Sequence, residues 1–189
     1  MPQENFSETI RAALTSFVLD IKTLSRLADD PELDDASREA AAAAAILVLS
    51  GTQIIPGLRG VQGYIDDALV MRLTVEKIAN SSDEAREALK AHTQEDGLLA
   101  DYAKQLEATR AYLGDSFALV EKGMDTLSQL KIDGYNAKDC VDDPDASNWL
   151  YDSIVAASVK LDFPPSEIAR ASKAADAVLT QLRARLPAK

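Results

Sequence analysis

The sequence predicts an all-α protein, a multi-helix bundle with one long central helix. Three observations carry that prediction. Apolar residues make up 47% of the 189-residue chain but aromatics only 5%, so the core must be built from Ala, Leu, Ile and Val, in a chain rich in good helix formers. Apolar positions recur in steps of three and four along most of the chain, the period of a helix face. The breaks between these runs carry helix-stop residues: Asp29-Asp30-Pro31, Asp133-Gly134 and Phe163-Pro164-Pro165.

Taken in order, Phe6, Ile10, Leu14, Phe17, Ile21, Leu24 and Ala28 form a first apolar stripe. A second helix is expected over residues 35–49, and its run of alanines, residues 40–45, lets a neighbouring helix approach closely. Residues 51–63 are the main irregular segment, in which Ile55-Pro56-Gly57-Leu58 suits a type II turn. A third helix follows over residues 64–78. Ser81 with Glu84 suggests a capping box for a short fourth.

The clearest periodicity lies beyond. Leu99, Tyr102, Leu106, Leu113, Phe117, Val120, Met124, Leu127 and Leu130 keep one phase, with Thr109 filling the gap, as a coiled-coil seam does. Gly114-Asp115-Ser116 could stop one helix and cap another, but the phase carries across it, so one long, kinked helix is expected. Trp149, Leu150, Ile154, Ala157 and Leu161 mark a further helix, capped by Asp145 or Ser147. Ile168, Ala171, Ala175, Val178, Leu182 and Leu186 mark the last. The expected organisation is therefore a helical core over residues 1–132, an acidic linker over residues 133–145, and a C-terminal helical pair over residues 146–189 packing on the core.

Charge and composition exclude several functions. A net charge of −11 opposes phosphate backbones, so no nucleic-acid partner is expected. The most apolar run, residues 40–49, falls short of the roughly 20 residues that cross a bilayer. A single cysteine, Cys140, permits no internal disulfide, and the first residues lack a charged-then-apolar leader, so a cytoplasmic location is expected. His92 is the only histidine, which removes the Glu-x-x-His pairs of ferritin-like di-iron sites and ordinary zinc sites. It reads as a surface or helix-terminal residue. No cofactor is implied. Gly57, Gly60 and Gly63 are spaced by three, which is not a dinucleotide fingerprint and reads as turn geometry or close packing. The acids of residues 139–145 lack the order and closing Glu of a calcium loop.

One segment stands out. Asp66 and Asp67 fall in the first turn of the third helix, where acids complement the positive end of the helix dipole. Carboxylates also suit hard divalent cations. Adjacent helical residues point about 100° apart, so one of the pair is expected to face inward and the other solvent.

Residues 46–78 resemble the core of the YkvA-like family, a group of mostly bacterial helical proteins without an established biochemical role. The family pattern is an apolar helix, a Pro-x-Asp-x-Ile-Pro-Asp turn, and Gly-Tyr-x-Asp-Asp opening a second helix. Gly63, Tyr64, Asp66 and Asp67 match the second part, and Pro56 matches the later proline. Gly51 stands at the first proline, and Gln53 and Gly57 stand at the two turn aspartates. The resemblance implies a helix-turn-helix core and two acids where the family has four. It transfers no activity.

Two functions follow as expectations. The first is a non-enzymatic helical interaction or scaffold protein, whose partner is another protein or a second copy and whose contacts lie on the long helix and the acidic surface. The alternative is a divalent-metal-binding sensor or metal-dependent hydrolase with Asp66 and Asp67 as metal ligands. Gln53, Arg59, Tyr64, Asp66 and Asp67 are the candidate binding residues.

Overall fold

The computed structural model describes residues 1–92 and 97–185 and is about 80% helical, without strands among those residues. The helices are α1 (Pro2–Thr15), α2 (Phe17–Ala28), α3 (Asp35–Ser50), α4 (Ile65–Ala79), α5 (Asp83–His92), α6 (Gly97–Leu113), α7 (Phe117–Met124), α8 (Ala137–Asp142), α9 (Pro144–Leu161), α10 (Pro165–Ala171) and α11 (Ala175–Arg183). The His92 side chain and Leu186 lie outside the described residues.

The most enclosed helix is α4. Eleven consecutive residues, Ile65 through Val75, are all buried. Helices α1, α2, α3, α6 and α7 all pack on it. A helix hydrophobic all round belongs in the middle of a bundle, because each buried Leu or Val contributes about 1.5–3 kcal/mol that solvent exposure would forfeit.

The first stripe is buried throughout, as its period requires, but the chain bends at Ser16, which separates α1 from α2. The Ser16 hydroxyl bonds back to Ala12 O and forward to Asp20 Oδ2, and such back-bonding bends helices. In α3, Asp34 caps the start by accepting from Ser37 N at 2.7 Å. Residues Ala41 to Ala45 are buried, and α2 packs on this helix.

The long bent helix runs from α6 into α7 through a 3₁₀ turn at Gly114–Ser116. Gly114 has φ +54°, which turns the axis at the residue best able to take it. Phase survives the bend, and Leu99, Leu106, Leu113, Phe117, Val120 and Leu127 are all buried. The seam is therefore spent on the protein's own core, with α1 and α4 packed against α6.

Three boundaries differ from expectation. The short helix α5 is capped by Ser82, whose Oγ accepts from Ala85 N, and not by Ser81, which bonds back to Ile78 O. Residues 133–145, expected as a solvated linker, contain α8. Asn136 and Asp139 form a reciprocal capping box there, and Ala137 and Cys140 bury against the bundle. Two of the acids that suggested a linker serve as helix caps: Asp139 in that box and Asp143, one step ahead of Pro144, which caps α9 in place of Asp145 or Ser147. Finally, the last stripe is split by a 3₁₀ turn at Ser172–Ala174 into α10 and α11. No helix is long and apolar enough to cross a membrane among the described residues.

Candidate functional site

The loop between α3 and α4 forms around the α4 N-terminus. Gly57 takes φ +91°, as the expected type II turn demands. Gly60–Tyr64 is a 3₁₀ turn that leads into α4. Asp66 Oδ2 accepts from Ile54 N at 2.6 Å and Ile55 N at 3.0 Å. Gln53 Nε2 donates to Leu58 O at 3.1 Å and Gly63 O at 3.5 Å. A Cβ on Gly63 would stand 2.5 Å from that amide nitrogen, so residue 63 must be glycine for Gln53 to reach across. From the far end of the chain, Arg185 Nη1 donates to Ile54 O at 2.9 Å. The loop is thus held from α4, from within, and from the C-terminal end of α11.

Both acids of the pair are buried, Asp66 at 0% and Asp67 at 3% exposure. The expectation that one would face solvent is corrected. It assumed a surface helix, whereas α4 has neighbours on every side over its first turns. Each carboxylate keeps one buried oxygen, Oδ1, with no hydrogen-bond partner. Burial pushes the Asp66 carboxyl above its ordinary range, against the lowering effect of the Ile55 and Ile54 N–H groups. Burial, followed by the charge of Asp66, pushes Asp67 well above it. Of the two, Asp66, with its N–H donors, is the better place for the negative charge.

The other sequence-derived residues divide. Tyr64 is half-buried and joins an aromatic cluster with Phe17 and Phe163, ring centroids 5.5 and 4.9 Å away. Gln53 closes the loop. Arg59 is exposed and is not drawn into this arrangement. Among the described residues no group of three or more His, Cys, Asp or Glu side chains is placed to hold a metal ion. Cys140 is buried, and burial pushes its thiol up to about 11, which makes it a poor nucleophile.

Sequence reasoning missed two features. One is a buried ion pair: Arg72 Nη2 meets Asp20 Oδ2 at 3.0 Å with both side chains inaccessible. Arg72 also donates to Ala68 O at 2.9 Å and to Gln105 Oε1. Burial pulls this guanidinium below its ordinary range, and Asp20 opposes the shift. A charged residue within the apolar run of each partner helix was the available signal. The other is an apolar surface. Apart from Met1, every strongly exposed large hydrophobic residue among the described residues lies on α2 or α9: Leu19 (58%), Tyr151 (59%), Val155 (46%) and Val159 (84%). Tyr151, Val155 and Val159 are spaced by four, one outer face of α9. The signal was present, a second apolar stripe beside the buried one, but the buried stripe alone satisfies a helix search.

No protein-family model, curated protein or solved structure matches this chain.

Proposed function

We propose that this protein is a non-enzymatic interaction or scaffold module that binds protein through the outer face of α9 and the adjoining edge of α2. The observation that carries this reading is that, among the described residues and apart from Met1, the strongly exposed large hydrophobics lie on α2 and α9. Isolated exposed apolar residues are ordinary, but a contiguous set marks an interaction surface. The long helix, where partner contacts were expected, has spent its seam internally, so the contact surface moves to α9. The Asp66 carboxylate, engaged in holding the loop, fits the same reading.

The test is a photo-crosslinking amino acid at position 155, compared with one at Lys104 on exposed α6 surface. A discrete adduct from position 155 alone is expected in native extract. Equal, diffuse labelling from both positions contradicts the proposal.

A second reading, a divalent cation held by Asp66 and Asp67, has one observation in its favour: the two unpartnered buried oxygens. A bound cation would raise the melting temperature of wild type over that of Asp67→Asn in Mg²⁺, Mn²⁺ or Ca²⁺. If no ion shifts the melting temperature of wild type relative to that of Asp67→Asn, the reading is removed. The YkvA-like resemblance adds a shared helical hairpin to either reading and favours neither.

A further inference from the structure

The central helix carries little information about its own orientation. Every residue of α4 from Ile65 to Val75 is buried, and apolar members such as Leu69, Val70, Met71 and Leu73 point to all sides of the helix. A helix with one apolar stripe has one way to face a core. A helix apolar all round has several. Turned by one residue or slid by one turn, it offers the same kind of surface to its neighbours. Those neighbours are no more particular, since aromatics are 5% of the chain and Ala, Leu, Ile and Val fill most of the core. Cores of interchangeable aliphatic side chains lose uniqueness before they lose stability.

The polar residues of α4 behave differently. Arg72 Nη2 donates to Asp20 Oδ2 of α2 at 3.0 Å, Nε to Gln105 Oε1 of α6, and Nη1 to Ala68 O of its own helix at 2.9 Å. Asp20 Oδ2 also accepts from Ser16 Oγ, at 2.9 Å, at the bend between α1 and α2. The guanidinium therefore ties three helices together, at 1% exposure against 0% for Asp20. Six residues earlier, Asp66 is held by Ile54 N and Ile55 N. Six residues are about 9 Å along a helix and about 120° around it. Two fixed points at different heights, on different sides of α4, define both its rotation and its height.

We infer that the Asp20–Arg72–Gln105 cluster is a register pin: it selects one placement of α4 against α2 and α6, and adds little to net stability. Asp20 penalises each neighbouring arrangement. Sliding α4 by one turn puts Glu76 or Ala68 where Arg72 stands, and turning it by one residue puts Met71 or Leu73 there. Glu76 brings a second carboxylate to Asp20, and the other three bring no cation. A buried charge deprived of its partner is strongly disfavoured, so the pair excludes placements that the apolar surface alone would accept. In the native placement the desolvation of both ions offsets much of their attraction, which leaves specificity as the main gain.

The test exchanges the pair for apolar residues. The double variant Asp20→Leu/Arg72→Met is expected to unfold in urea at the wild-type midpoint or above it, unlike Arg72→Met alone. It is also expected to lose its single arrangement. Amide resonances of Ile65 to Val75 should double or broaden, and hydrogen exchange at Ile54 and Ile55 should quicken at least about tenfold. Asp66 is unaltered in this variant and lies six residues from the exchanged position, so lost protection at the loop reports movement of α4 as a body. One set of sharp resonances with wild-type exchange at Ile54 and Ile55 overturns the inference, because α4 then finds its place without the pair. A double variant that unfolds at lower urea than wild type, or does not fold, also overturns it, because the pair is then a source of stability.

Discussion

The acid pair at the start of α4 and the apolar face of α2 and α9 are opposites in almost every respect. The first is conspicuous in the sequence, chemically suggestive and buried. The second is inconspicuous in the sequence, chemically plain and exposed. Carboxylates draw attention because they can do chemistry, but Asp66 is occupied in satisfying Ile54 N and Ile55 N. Those N–H groups lie on the inner side of the loop, where Ile55 is buried, so an acceptor had to be supplied. Val155 and Val159, by contrast, satisfy nothing inside the protein. Residues with structural employment are poor evidence of function, and apolar residues without it are better evidence than their chemistry suggests.

The contrast predicts that substitutions inside change stability and leave association alone, and that substitutions on the face do the reverse. The largest expected effect belongs to Arg72→Met, which strands the buried Asp20 carboxylate without its guanidinium. Breaking a buried pair from one side costs about 3–5 kcal/mol, read from urea unfolding. Next comes Asp66→Ala, which leaves the two loop N–H groups without their acceptor. A loss of about 3 kcal/mol is expected, with faster hydrogen exchange at Ile54 and Ile55. The same substitution in a protein whose loop is unaffected would break the contrast.

Asp67→Asn runs the other way and depends on pH. The folded protein holds the Asp67 proton more tightly than the unfolded chain does. Stability from this group is therefore fully present below the ordinary carboxylate pKa and is lost as pH rises through the elevated folded one. Wild type should weaken as pH climbs out of the acid range, and Asp67→Asn, neutral throughout, should flatten that slope and melt higher at alkaline pH. A steeper slope in the variant would contradict the burial argument. The smallest expected stability change is Val159→Asp, within about 0.5 kcal/mol of wild type, since the side chain is 84% exposed.

Much of the fold was legible because helical period and burial are one property read twice. Phe6 through Ala28, and Leu99 through Leu127, show it: positions in phase are the buried ones. Breaks were less legible. Ser16 and Ser172 interrupt apolar stripes that keep their phase, and no glycine or proline marks either place. Residues 133–145 misled because a string of aspartates reads as solvated chain, while Asp139 and Asp143 cap α8 and α9. Of the site, Gln53 and Asp66 hold the loop and Asp67 lies beside Asp66, while Tyr64 joins Phe17 and Phe163 and Arg59 is exposed. What could not be read was their burial, because α4 is enclosed by helices far away in sequence. The spacing of Tyr151, Val155 and Val159 was visible, but their exposure was not, because an outward face is defined by what fails to pack on it.

The most direct measurement is the crosslink yield from position 155 in three backgrounds: wild type, Asp67→Asn and Val159→Asp. We expect a discrete adduct in wild type, undiminished in Asp67→Asn and lost in Val159→Asp while both variants remain folded. Loss of the adduct in Asp67→Asn with retention in Val159→Asp would contradict the assignment and return attention to the acid pair.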